Sequence, residues 1–187
     1  TCLWRIGIRP TGNKDPFALR RTSLGIIRII LENKLDIDLD YLIDLTEVNF
    51  DKTDLQLFLK ERIAYYLTEK NYKKKVVKAV VEQYELDLLP ILPRVIAEIT
   101  EFISSEAGGR ALAVYKRVSN FLSSNKQLLS FEKKISKERA TKEDQLVQEQ
   151  LTLTKEQVEE SLQSKDFKTA LFVLGPLLDS VNQFLDN

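Results

Sequence analysis

The side chains that could do chemistry in this sequence are basic ones that stand beside small residues on predicted helices. Arg21, Gly25 and Arg28 form the first such set. At about 100° per residue, Arg21 and Arg28 lie within roughly 20° of each other on a helix, and Gly25 leaves the backbone bare beside them. Guanidinium groups next to bare backbone suit phosphate oxygens. The alternative is that Gly25 admits a neighbouring helix and that both arginines pair with acidic side chains.

A second set combines small and polar residues on one side of a later predicted helix. It consists of Gly109, Ala113, Lys116, Arg117 and Asn120. Its polar end could hold a backbone phosphate, and the Asn amide could read a base edge. The alternative is an exposed polar face with another helix packed on Gly109 and Ala113. The opposite side carries the residues expected in the core, which are Val114, Tyr115, Val118, Phe121 and Leu122.

A third set is a run of lysines at the start of a predicted helix. Its members are Lys70, Lys73, Lys74, Lys75 and Lys78, with Tyr72 among them. Such a patch could face RNA, with Tyr72 stacked on a base. The alternative is a solvated helix start without a partner.

Other kinds of chemistry are excluded or unsupported. The sequence contains no His, which excludes Ser-His-Asp, Cys-His and His-metal sites. The acidic cluster at residues 36–44 lacks the turn Gly and the final Glu of a calcium loop, and no Gly-rich phosphate loop occurs. We therefore expect no catalytic residue and no metal site in this chain.

Composition and charge indicate a helical domain with locally concentrated charge. The 187 residues are 43% hydrophobic, and 28 basic residues balance 28 acidic ones. The balance hides alternating blocks, with net charges of +5 over 1–30, −5 over 31–70, +6 over 71–142 and −6 over 143–187. The lone Cys2 favours a reducing cytoplasm, and no apolar run is long enough for a membrane span. Since Met is absent, we expect a piece excised or processed from a longer protein.

The elements that must position these residues are helices. Apolar residues recur at helical spacing along most of the chain, and no sustained alternation predicts a strand. We therefore predict an all-α fold, a multi-helix bundle of about eight helices. The predicted helices cover 16–33, 38–44, 54–70, 73–84, 90–104, 108–122, 154–164 and 166–184, with a break at Gly175-Pro176 and an exposed loop within 128–151. Asp15 and Asp54 are the expected N-caps, and Asn71 the expected C-terminal stop.

Several motifs carry a resemblance to a known family. The stretch 10–21, PTGNKDPFALRR, closely resembles the PTGSKDPFALRR signature of the bacterial glycyl-tRNA synthetase beta subunit, with Asn13 in place of Ser. The segment FLKER at 58–62 with YL at 66–67 is similar to the family's FLxxR…YL, and KRVSN at 116–120 to its KRVxNIL. The end of the chain, 181–186, resembles VxxFFD. Tyr115 departs from the pattern, because Asn is common there.

The resemblance implies both an organisation and a function. Residues 1–22 would be the tail of an HD-like helical domain or its junction, and 23–187 a DALR-type helical anticodon-binding domain. The implied holoenzyme, a glycine–tRNA ligase, joins glycine to its tRNA with ATP and Mg, and catalysis lies on a separate alpha subunit. The expected partners are glycine tRNA and that alpha subunit, with no membrane. The alternative is a helical scaffold that docks the alpha subunit or the rest of beta without reading bases.

These implications give one set of candidate RNA-binding residues. The chain itself would bind no cofactor, and its contribution would be cationic and polar side chains that hold the anticodon arm. The candidates are Lys14, Arg20, Arg21, Arg28, Lys73, Lys74, Lys116, Arg117 and Asn120.

Overall fold

The computed structural model describes residues 1–46, 51–84, 86–125 and 141–186. Within these ranges the chain forms ten α-helices and one 3-10 helix, and extended pairing is limited to a bridge between Thr11 and Lys14. The prediction of an all-α multi-helix fold is therefore confirmed. The helices are α1 (Cys2–Arg5), α2 (Leu19–Glu32), α3 (Leu39–Asp44), α4 (Thr53–Glu69), α5 (Lys74–Gln83), the 3-10 helix (Leu86–Ile91), α6 (Leu92–Ser104), α7 (Glu106–Ser124), α8 (Lys142–Gln163), α9 (Phe167–Phe172) and α10 (Gly175–Asp186).

The chain divides into two compact units, Thr1–Ala97 and Glu98–Asn187. The division reflects which residues lie close together and does not by itself assign either unit to a type of domain. Helix α2 runs without a break through residues 22 and 23, where the sequence places a domain junction. The assignment of residues 1–22 and 23–187 to two kinds of domain stays a prediction.

The core of the first unit forms where α2 and α5 pack against α4. Both helices present an apolar stripe to α4, and burial of each such side chain stabilises the fold by about 1.5–3 kcal/mol. Trp4 joins this core, since it is 6% exposed and its ring centroid lies 4.8 Å from that of Phe58. The most deeply buried side chains are Ile27, Ile63, Leu67, Val77, Leu89, Val95 and Ile96.

The start of α2 differs from the prediction. Asp15 does bind the helix N-terminus, because its carboxylate accepts hydrogen bonds from the backbone N–H groups of Leu19 and Arg20 at 2.7 and 3.0 Å. The helix nevertheless begins at Leu19 rather than at Pro16, since Ala18 lies in the left-handed region at φ 54°. The sequence identified the capping carboxylate correctly but placed the helix start three residues too early.

The other helix ends follow local capping chemistry. Asp38 caps α3 through the Tyr41 N–H, which was not predicted. Asn71 ends α4 at φ 67°, as predicted. The prediction of Asp54 as a cap is wrong, because α4 begins at Thr53 and the carboxylate of Asp51 accepts the Thr53 N–H at 2.9 Å.

In the second unit, α8 packs against α9 and α10, and α7 packs against α10. The part of the expected 128–151 loop that falls at 128–140 lies outside the described residues. The exposed loop within 128–151 therefore stays a prediction, whereas the predicted helix start at 154 is wrong, because α8 begins at Lys142. Thr141 and Asp144 form a reciprocal capping box there, in which each side chain accepts the backbone N–H of the other residue.

The backbones of α6 and α7 approach closely at the turn between these two helices. Ser105 caps α7, with its hydroxyl accepting the Gly108 N–H at 3.1 Å and donating to the Phe102 carbonyl at 2.6 Å. A Cβ on Gly108 would lie 1.9 Å from that carbonyl oxygen, whereas a Cβ on Gly109 would meet nothing within 4 Å. The close contact expected at Gly109 is therefore made by its neighbour, Gly108.

In the described parts of the chain, no helix is both long and apolar enough to cross a membrane.

Candidate nucleic-acid interface

The basic set on α2 lies on an open helix face. The Arg21 side chain is exposed and forms no hydrogen bond or ion pair with any residue that the structure describes. A Cβ on Gly25 would meet no atom within 4 Å, so none of the described helices packs against it and the alternative of a neighbouring helix at Gly25 is not seen among them. The backbone beside Arg21 therefore remains accessible to a partner.

Arg28, further along the same face, has an acidic partner. Its Nε donates to Glu32 Oε2 at 3.0 Å, one helical turn away. The other oxygen of Glu32 accepts from Lys70 Nζ and from Tyr66 Oη, each at 3.3 Å. Arg28 and Lys70 lower the pKa of the Glu32 carboxyl, with the Arg28 hydrogen bond as the largest cause. The same contacts raise the pKa values of Arg28 and Lys70.

Lys14 and Arg20 belong to the turn that precedes α2. The backbones of Thr11 and Lys14 exchange hydrogen bonds at 3.0 and 2.8 Å, which closes the turn predicted for this stretch. The Arg20 guanidinium donates to the Gly12 carbonyl at 2.8 Å and ties the turn to the helix. The Lys14 side chain is exposed and available to a partner. The Arg20 guanidinium already uses one of its donors in the bond to Gly12.

On α7 the three predicted contacts have different surroundings. Lys116 and Asn120 are exposed and have no side-chain partner within the described ranges. Arg117 instead binds the last turn of α10, through Asn182, through the Leu185 carbonyl at 3.5 Å and through Asp186 at 2.7 Å. Its guanidinium is therefore engaged in holding α10, and Lys116 and Asn120 are the accessible members of the set.

The apolar side of α7 is only partly a core. Val114 is 7% exposed, as predicted, but Tyr115 is 70% exposed and Phe121 is 48% exposed. Leu122 is 38% exposed, so the prediction of Tyr115, Phe121 and Leu122 as core is wrong. α7 packs on α10 through a narrower stripe than the helical wheel suggested, and both aromatic rings are exposed at the surface.

The lysine run lies at the start of α5. Lys73 occupies the N-cap position and Lys74 the first helical position, and both are exposed. Lys78 pairs with Glu82 at 3.7 Å on the same helix. Tyr72 is half-buried, so it presents less ring surface for base stacking than the sequence suggested.

The candidates thus fall into two groups. Those on α2, α5 and the preceding turn belong to the first unit, and those on α7 belong to the second. Sequence reasoning missed Glu32 and Tyr66 as neighbours of the α2 face. The i, i+4 spacing of Arg28 and Glu32 was a detectable signal, whereas the contact of Glu32 with Tyr66 and Lys70 depends on how α2 packs on α4.

Comparisons with known proteins identify the family. Residues 1–82 match the family model described as glycyl-tRNA synthetase beta subunit. The glycine–tRNA ligase beta subunit of Rickettsia canadensis is 35% identical over 187 residues, which cover 97% of this chain and 27% of that protein. The corresponding subunits of Rickettsia bellii and Ralstonia nicotianae are 36% and 31% identical, over 97% and 98% of this chain and 26% and 27% of their own lengths. The chain spans about a quarter of these relatives, and it belongs to the glycyl-tRNA synthetase beta subunit family.

Proposed function

We propose that this chain is the tRNA-binding, anticodon-recognising part of a glycine–tRNA ligase beta subunit. It would support ATP-dependent glycylation of tRNA by a cytoplasmic holoenzyme, in which catalysis lies on the alpha subunit. ATP and Mg would serve that holoenzyme, and the residues of this chain would hold RNA without taking part in the chemistry. Family membership supports the ligase assignment, and the DALR-type anticodon-binding role is the finer part of the proposal.

The observation that carries the RNA-binding role is the open basic face at Arg21 and Gly25. A guanidinium beside accessible backbone offers several donors to a phosphate at once, and phosphate contacts dominate RNA affinity. On α7, Lys116 could hold a second phosphate, Asn120 could read a base edge and the exposed ring of Tyr115 could stack on a base. Arg117 would act indirectly, by holding α10.

The test is a binding titration of the complete holoenzyme with glycine tRNA, at two salt concentrations. R21A and K116A should each weaken binding and reduce the salt slope by about 0.7–0.9. N120A should instead reduce the discrimination against tRNA with altered second and third anticodon bases. K155A is the matched control, because Lys155 is an exposed lysine on α8 outside the proposed face. Binding that is insensitive to salt, or equal losses in K155A and K116A, would contradict the proposal.

A second candidate function is the scaffold that docks the alpha subunit or the rest of beta. The supporting observation is apolar surface on and before α2, where Phe17, Ile26 and Ile29 are 51%, 44% and 57% exposed. Exposed apolar clusters of this kind favour protein partners.

A pull-down of the alpha subunit without RNA separates the two candidates. If docking is the main role, I26S and I29S should reduce capture of the alpha subunit while R21A leaves it unchanged. If RNA binding is the main role, the serine variants should leave capture intact.

A further inference from the structure

Three hydrogen-bond donors from two helices converge on one carboxylate at the surface of the first unit. Arg28 Nε approaches Glu32 Oε2 at 3.0 Å, and Lys70 Nζ and Tyr66 Oη approach Oε1 at 3.3 Å. Two of the three donors carry a positive charge, and Lys70 also lies 5.5 Å from the centroid of the Tyr66 ring. This arrangement has the donor set of an anion-binding site.

The carboxylate of Glu32 is held in that site at the protein surface, where solvent reaches all the charged groups. Its side chain is 40% exposed, and those of Arg28 and Lys70 are 67% and 53% exposed. Exposed ion pairs contribute little to stability because water and salt screen them. An incoming anion can therefore replace the carboxylate at small cost to the fold.

The location of the site suggests which anion. Arg21, Gly25, Arg28 and Glu32 follow one another at intervals of three or four residues along α2, so they share one face. The open basic surface at Arg21 and Gly25 leads directly to the donors around Glu32. A phosphodiester carries one negative charge and offers oxygen acceptors, as the Glu32 carboxylate does, so the same three donors can bind either group.

We propose that Arg28, Tyr66 and Lys70 form a binding site for an RNA backbone phosphate, and that Glu32 occupies it until RNA binds. The site rests on the proposed function, and it adds Tyr66, Lys70 and a self-masking carboxylate to the predicted contacts. Each RNA-binding event then includes the release of Glu32 from three donors, which lowers the affinity below that of the unmasked site.

The test compares E32Q with wild type in the complete holoenzyme, titrated with glycine tRNA at several salt concentrations. E32Q removes the competing charge but keeps the side-chain shape, so affinity should rise about two- to fivefold and the salt slope should become steeper. E69Q is the matched control, because Glu69 carries the same charge next to Lys70 on α4 but has no hydrogen bond or ion pair with the described donors. K70A, combined with E32Q, should remove most of the gain.

The outcomes separate this inference from the proposed function. If E69Q tightens tRNA binding as much as E32Q, the gain comes from the net charge of this surface and the masked site is refuted. No gain in E32Q, while R21A and K116A still weaken binding, refutes the masked site and leaves the proposed function intact. If R21A, K116A and E32Q all bind tRNA with the affinity of the wild-type holoenzyme, both the masked site and the proposed function are refuted.

Discussion

The close contact at Gly108 gives a sharp prediction about the second unit. A Cβ at this position would lie 1.9 Å from the Phe102 carbonyl oxygen and 2.8 Å from Ile103 Cα, both backbone atoms. Since Cβ contacts below 3.0 Å are essentially absent from real structures, α6 and α7 must separate by about 1 Å to accept Gly108→Ala. That separation also stretches the two hydrogen bonds of Ser105, which join the Phe102 carbonyl to the Gly108 N–H.

The cost of the substitution can be set against a neighbouring control. Overpacking of this kind typically destabilises by about 1–3 kcal/mol. Gly109→Ala meets no atom, so only the helix propensity of alanine acts there, and it stabilises by up to about 1 kcal/mol. The two adjacent Gly→Ala substitutions should therefore change the free energy of unfolding in opposite directions, although the chemical change is the same.

Hydrogen exchange of the whole protein, read by mass spectrometry over residues 98–124, measures the effect where it arises. A loss of 1–3 kcal/mol corresponds to exchange that is about 5- to 150-fold faster in Gly108→Ala, if these amides open with the local unit. Gly109→Ala should leave exchange unchanged or slower. Equal exchange rates in the two variants would refute the claim that the turn between α6 and α7 requires a residue without Cβ at position 108.

Three further predictions follow from the helix ends and from Glu32. Arg28 lowers the pKa of Glu32 in the folded protein. The stabilisation by ionised Glu32 is therefore fully present above about pH 4.3 and is lost as the pH falls through the lowered pKa of the folded state. A pH series of thermal melts should show this loss of stability in wild type and not in E32Q. Asn71→Ala should destabilise by about 1 kcal/mol because φ is 67°, whereas Asn71→Gly should be nearly neutral in urea unfolding. Thr141→Ala removes half of the capping box with Asp144 and should cost about 1 kcal/mol, with faster exchange at the start of α8.

Much of the fold could be predicted from local signals. Apolar periodicity located α2, α4, α6 and α7, because apolar residues recur along each of them at helical spacing. Asp15 and Asn71 were correctly identified as capping residues, since capping depends on a few adjacent residues. The start of α8 was missed because its apolar residues are sparse, although the Thr-x-x-Asp spacing at 141–144 was a visible capping signal.

The candidate site was less predictable, because its contacts join residues far apart in sequence. Nothing local indicates that Arg117 binds Asp186, 69 residues away, or that Lys70 reaches Glu32 from another helix. The exposure of Tyr115 depends on how wide the α7–α10 contact is. Helical spacing alone cannot give that width.

The single tryptophan of this chain has a practical consequence. Trp4 is buried against Phe58 within the first unit, so its fluorescence reports the melting of that unit alone. Circular dichroism at 222 nm records helix loss throughout both units. If the two signals change at different temperatures in the isolated polypeptide, the halves unfold as separate cooperative blocks, and coincident transitions would mean that they melt as one.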